Sequence, residues 1–157
     1  MIINSRFDGG NIRCIDCCSA QHIQLAINPD AENTQTLQWF YFRLSGARGQ
    51  ACRLTITNAG DASYLDGWKG YRAVASYNRR DWFRIDTRYE AGQLIMEVEP
   101  QQNCMYFAYF APYSLERLAD FVAGIKQSPV VDSSELGQTL DGRTIECLTI
   151  GDALTGK

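Results

Sequence analysis

The chain has 157 residues, 45% of them hydrophobic, with fifteen Lys and Arg against eighteen Asp and Glu for a net charge of -3. That length supports one good core with at most a small appendage. The absence of any Lys/Arg run argues against nucleic acid and anionic membrane as partners, because holding phosphates takes clustered cations, and no apolar stretch approaches the roughly 20 residues that cross a bilayer.

The N-terminus, MIINSRFDGG, lacks the basic flank and apolar run of a secretory leader. The reading is a cytoplasmic protein whose six cysteines (Cys14, Cys17, Cys18, Cys52, Cys104 and Cys147) stay thiols. Strands then follow one another with period-two alternation. NIRCIDCC (11–18) and HIQLAI (22–27) are short strands, and the polar loop NPDAENTQ (28–35) breaks at its Asn-Pro. Alternation pairs Cys14 and Cys18 with Ile12 on one face, and the cysteines are expected to be buried thiols. Cys14-x-x-Cys17 has no second ligand pair at zinc-finger spacing, and His22 is the single histidine.

TLQWFYFRLSG (36–46) is the strongest strand, with Trp39, Tyr41 and Arg43 on one face and Leu37, with Phe40, Phe42 and Leu44 out of phase by one, near the other. Apolar on both sides, it is expected to be a central strand covered on both faces. ACRLTITN (51–58) continues the pattern with Leu54 and Ile56. The segment 58–72 is rich in Gly and Asp and reads as a loop carrying Tyr64, Trp68 and Tyr71. Short strands at AVASY, WFRI and QLIMEVE and a longer one at CMYFAYF (104–110) complete the set. Many short strands with turn signals between them predict an antiparallel β-sandwich.

SLERLADFVAGIK (114–126) is the clear helix: Ser114 caps it, Glu116 lies in the first turn, Lys126 closes it, and Leu115, Leu118, Phe121, Val122 and Ile125 form an apolar stripe. QSPVVDSS (127–134) reads as a linker. GQTL and RTIECLTI then flank Asp141-Gly142, a dipeptide suited to a two-residue type I′ turn. The closing GDALTGK is turn material that leads toward a further strand.

Six segments in this order resemble the cytosolic carboxypeptidase branch of the zinc metallocarboxypeptidases: FDGGN (7–11), QWFYFRLSG (38–46), LTITNAGDASYLDGWKGY (54–71), DWFRI (81–85), YFAYFAPYSLERL (106–118) and LGQTLDGRTIECLTIGD (136–152). The resemblance implies a mainly β fold: an antiparallel β-sandwich with one C-terminal helix (1–127), then a linker and a β-hairpin (128–157) that begins an α/β peptidase domain absent from this chain. It also implies a parent enzyme that uses zinc, bound by a His-x-x-Glu pair and a later His, to remove C-terminal residues from peptides or proteins. Those ligands cannot be carried onto this sequence, since His22 is followed by Ile-Gln-Leu. No catalytic or metal residue is therefore assigned here, and no cofactor is expected to bind this chain itself.

The expected partner is the protein's own catalytic domain, contacted through the strand-to-helix corner Phe107, Phe110, Pro112 and Tyr113, because aromatics anchor interface cores. Trp68, Lys69 and Tyr71 are candidates for the border of the substrate site or of the domain interface. Arg72, Arg79, Arg80, Arg84 and Arg88 read as a charged strand edge. The competing reading is a free-standing β-sandwich module that binds a peptide or carbohydrate through exposed Trp and Tyr.

Overall fold

The alternation of Phe40, Phe42 and Leu44 against Tyr41 and Arg43 becomes a strand with a different environment on each side. The computed structural model describes residues 1–30 and 36–151. Its chain begins with β1 (Ile2–Asn4), β2 (Arg13–Asp16), β3 (Ile23–Ala26), β4 (Tyr41–Ser45) and β5 (Cys52–Ile56). It continues with β6 (Val74–Ser76), β7 (Phe83–Arg84), β8 (Asp86–Glu90), β9 (Gln93–Val98) and β10 (Cys104–Ala108). These make two five-stranded sheets, ordered β1-β4-β10-β6-β7 and β2-β3-β5-β9-β8.

One buried cluster joins Phe40, Phe42, Leu44, Ala75, Met105 and Phe107 of the first sheet side to Ile23, Leu25, Leu54, Ile56, Leu94 and Met96 of the second. Two sheets sharing one core form a sandwich, the mainly β architecture read from the sequence. β4 lies between β1 and β10, and Tyr41 on its outer side is also buried, so the strand is covered on both faces as expected.

Three details depart from the sequence reading. First, β3 and β5 pair in parallel, with Ile23 opposite Leu54 and Leu25 opposite Ile56. The intervening β4 lies in the other sheet, so the chain crosses the sandwich and returns in the same direction. Asn58 extends this pair: its amide donates to the Ile27 carbonyl at 3.0 Å and its carbonyl accepts from the Ile27 N–H at 2.9 Å. Second, β2 is an edge strand, so Cys14 and Cys18 are exposed and Cys17 is half-buried instead of forming part of the core. Third, the segment read as a loop contains two 3-10 turns, Ala59–Asp61 and Leu65–Trp68.

The compact units divide between Pro112 and Tyr113. The helix, expected to close the sandwich domain at residue 127, falls in the second unit. That unit holds α1 (Leu115–Ile125), β11 (Val131–Gln138) and β12 (Thr144–Ile150). Ser114 accepts the Arg117 N–H at 3.2 Å, the capping bond predicted for it. Lys126 at the other end of the helix pairs with Glu146 of β12 at 2.7 Å.

β11 begins at Val131, inside the stretch read as linker, because pairing with Ile150 and Thr149 overrides the turn preference of Asp132 and Ser133. The turn also differs from the expected type I′ form. Gly142 has φ 73, Asp141 is not among the residues of positive φ, and Gly142 N–H donates to Thr139 O at 2.9 Å. Thr139 N–H bonds back to Arg143 O at 2.8 Å. This is a three-residue loop, a type I turn closed by a left-handed glycine. The continuation read into residues 152–157 lies outside the described residues, as does the 31–35 part of the polar loop.

Candidate functional site

β10 carries its alternation to the strand-to-helix corner. Met105 and Phe107 point into the sandwich, while Tyr106 and Ala108 belong to the outer side. Phe107 is fully buried and stacks on Phe42, with ring centroids 5.1 Å apart and planes 11° from parallel. This corrects the expectation that it contacts another domain: its ring is core and can act at a surface only by supporting the strand. Phe110 is 54% exposed and lies against Trp39 at 4.9 Å. Pro112 is half-buried. Tyr113 is 55% exposed, with the Arg117 guanidinium 4.8 Å from its ring.

Phe110 and Trp39 border an aromatic layer on the outer side of the first sheet. Tyr41 sits at its centre, edge-on to Phe7 at 4.8 Å and to Trp82 at 5.9 Å, with Tyr106 at 6.3 Å. Arg79 donates from Nε to the Tyr41 hydroxyl at 3.2 Å and lies over the Tyr106 ring at 5.9 Å. It holds a left-handed backbone, φ 63, fixed by its N–H on the buried Ser76 Oγ at 2.8 Å. Burial raises the pKa of Tyr41, so its phenol stays protonated. The FDGGN motif builds one wall: Asn11 Nδ2 donates to Asn28 O and Trp39 O at 2.9 and 3.1 Å, and Gly9 O accepts the Trp39 indole N–H at 2.7 Å.

The second candidate region is the glycine-rich segment. A cavity of about 740 Å³ is lined by Leu65, Trp68, Lys69, Tyr71, Arg88 and Tyr89, among others. Trp68 is 2% exposed, and its indole N–H donates to the Ala59 carbonyl at 3.0 Å. The expectation of a border residue is corrected for Trp68, which forms part of the core behind the cavity. Tyr71 donates its hydroxyl to Tyr109 O at 2.6 Å and is pushed far up in pKa by burial. Lys69 is exposed at the rim. Arg88 is engaged by Glu97 at 3.0 Å and Glu90 at 3.6 Å, and Arg84 donates to Arg72 O. Arg84 and Arg88 thus lie on the edge strands β7 and β8, as read from the sequence, whereas Arg79 sits in the loop after β6 over the aromatic layer.

Among the described residues, no group of three His, Cys, Asp or Glu side chains is placed to hold a metal ion. The Cys14 thiol is pushed up to about 11 by desolvation and by the adjacent Cys17, so it is protonated at neutral pH. Among the described residues, no helix is long and apolar enough to cross a membrane.

An antiparallel sandwich with an aromatic outer face, followed by a helix and a hairpin, defines a mainly β architecture. Residues 3–110 match the family described as the cytosolic carboxypeptidase N-terminal domain, and the chain belongs to that family. A crystal structure of a metallo-carboxypeptidase from Burkholderia cenocepacia superposes with a TM-score of 0.95 at 41% identity, covering 99% of this chain and 41% of that one. A Pseudomonas aeruginosa metallo-carboxypeptidase, solved in complex with (2-guanidinoethylmercapto)succinic acid, gives 0.90 at 41% identity over 94% of this chain and 40% of that one. An uncharacterized protein of Zymomonas mobilis is 43% identical over 96% of this chain and 39% of its own length. The chain thus spans about two fifths of the length of these relatives.

Sequence reasoning singled out the corner and the glycine-rich segment but missed the outer aromatic layer as a unit. Trp39, Tyr41 and Arg43 were placed on one face by alternation. That Phe7, Trp82 and Arg79 close over that face depends on two loops whose paths have no local periodicity.

Proposed function

We propose that this chain is the non-catalytic amino-terminal part of a zinc-dependent carboxypeptidase that removes C-terminal residues from peptides or proteins in the cytoplasm. The sandwich supports the catalytic domain and shapes access to its site. Residues 128–157 contribute the first hairpin of that domain. Phe110, Pro112 and Tyr113 contact it at the corner, and Lys69 and Tyr71 lie near its border with the substrate. Zinc, its ligands and the substrate-gripping residues belong to the length of the relatives that this chain does not span.

One observation carries the reading: near-complete superposition on a metallo-carboxypeptidase of which this chain covers only 41%. The apolar surface of the second unit supports it. Leu118 is 44%, Phe121 51% and Leu136 71% exposed, as surfaces are when a further packing layer belongs on them. A free-standing module that uses the cavity as a binding site has less support, because Trp68 and the Tyr71 hydroxyl are already committed to the core.

The test compares the full-length protein with the 157-residue chain for zinc content and for release of C-terminal amino acids from a peptide panel. Zinc and release are expected with the full-length protein only. Zinc-loaded full-length protein that releases nothing, or release by the short chain itself, overturns the proposal.

A further inference from the structure

Edge strand β2 breaks its own alternation, and the break brings two thiols together. Cys14 lies opposite Leu25 of β3 and Asp16 opposite Gln24, so Ile15 is an extra residue, a β-bulge. Cys14 shares the core-facing side with Leu25, while Ile15 and Asp16 together take the side of Gln24. Cys17 then returns to the core-facing side, where it packs against the buried cluster that contains Ile23 and Leu25. In an unbroken strand Cys14 and Cys17 would point to opposite faces. The bulge sets them on one face, and a hydrogen bond joins their side chains.

The spacing decides what two thiols so placed can do. Three residues of unbroken strand span about 10 Å, beyond the reach of a disulfide. Two rungs of the ladder span about 6.6 Å, within the roughly 4.4–6.8 Å between Cα atoms that a disulfide bridges. β2 has no strand on its outer side, Cys14 is exposed and Cys17 is half-buried, so a small oxidant reaches the pair. Cys52 and Cys104 are placed differently, turned onto the Gln50 carbonyl at 3.3 Å and the Ser45 hydroxyl at 3.4 Å.

We propose that Cys14 and Cys17 form a reversible thiol–disulfide site, oxidised by a low-molecular-weight disulfide such as glutathione disulfide. The Cys17 thiolate attacks one sulfur of the oxidant and forms a mixed disulfide, and the glutathione thiolate released takes up a proton. Cys14, which burial and its contact with Cys17 raise to about 11, keeps its proton until this second stage. It then loses that proton and attacks the Cys17 sulfur, expelling the second glutathione. Two protein thiols are oxidised and the oxidant is reduced to two thiols. Oxidation also removes the proton that Cys17 Sγ donates to the Met1 carbonyl at 3.6 Å, so the state of the pair reaches the start of β1. The site does not depend on the functional reading above.

The experiment equilibrates the full-length protein with glutathione buffers of increasing oxidation, natively and in concentrated urea. Free thiols are blocked with N-ethylmaleimide, the remainder reduced and blocked with iodoacetamide, and the tryptic peptide that begins at Cys14 is sequenced by mass spectrometry. Cys14 and Cys17 are expected to acquire the second label together while Cys18 keeps the first, and Cys18→Ser is expected to leave this unchanged. Cys14→Ser should trap glutathione on Cys17. The bond should be at least about tenfold more stable in the native protein than in urea, because the bulge sets the spacing. First label on all three cysteines across the series overturns the proposal, as does pairing of Cys18 with either neighbour. Glutathione retained on wild-type Cys17 overturns it too, since Cys14 then fails to resolve the intermediate. Equal stability of the bond in urea overturns the claim that the fold builds the site.

Discussion

Replacing Phe107 by Ala separates the core role of the corner from its surface role. The ring is fully buried and stacked on Phe42 at 5.1 Å, so its removal leaves a cavity between the sheets. A buried Phe→Ala change costs about 3–5 kcal/mol. In a unit a little over 100 residues long, Met1–Pro112, where each kcal/mol moves the midpoint by about 4 °C, that is a fall on the order of 12–20 °C. Phe110→Ala, three residues on, removes a ring that is 54% exposed and rests mainly on Trp39 and Tyr109, and should cost less than about 1 kcal/mol. Urea unfolding followed by tryptophan fluorescence suits the comparison, because Trp39, Trp68 and Trp82 all lie in the first unit. Equal losses for the two variants would refute the division of the corner into core and surface residues.

Gly10→Ala should destabilise the sandwich by at least about 2 kcal/mol, because its added Cβ would lie 2.0 Å from the Ser5 carbonyl oxygen and the backbone must move; an unchanged urea midpoint would contradict this. Ser114→Ala removes the cap bond to Arg117 N–H and should weaken α1 by about 1 kcal/mol, read as a loss of helical circular dichroism on heating. Arg88 holds Glu97 below its ordinary value of 4.5 by a hydrogen bond and by charge, so the stabilisation is present above that value and is lost as pH falls through the lowered one. The Tm gap between wild type and Arg88→Gln should therefore be open at neutral pH and close in acid; a gap of the same size at neutral and at strongly acid pH would exclude this linkage.

Much of the fold is local enough to read from the chain. Period-two alternation placed Phe40, Phe42 and Leu44 opposite Tyr41 and Arg43, and the capping pattern located α1 to within a residue at each end. Where readings failed, a partner distant in sequence decided the outcome. β11 starts at Val131 because β12 is there to pair with it. The turn at Asp141-Gly142 is a three-residue loop because the strand register, not the dipeptide, sets the loop length.

The sequence by itself determined which residues alternate, where the helix starts and ends, that His22 cannot build a zinc site, and which family the motifs resemble. Only the tertiary structure decided which apolar side chains are core and which remain surface. Phe107 and Phe110 are chemically alike and three positions apart, and Cys14 reads as buried until β2 proves to be a sheet edge. The same holds for Arg43, whose buried Nε has no hydrogen-bond partner among the described residues, which is invisible in a sequence containing eighteen acids. Periodicity assigns a residue to a face. What covers that face, and whether an opposite charge lies within hydrogen-bond reach, depends on strand order and on loops brought together from far along the chain.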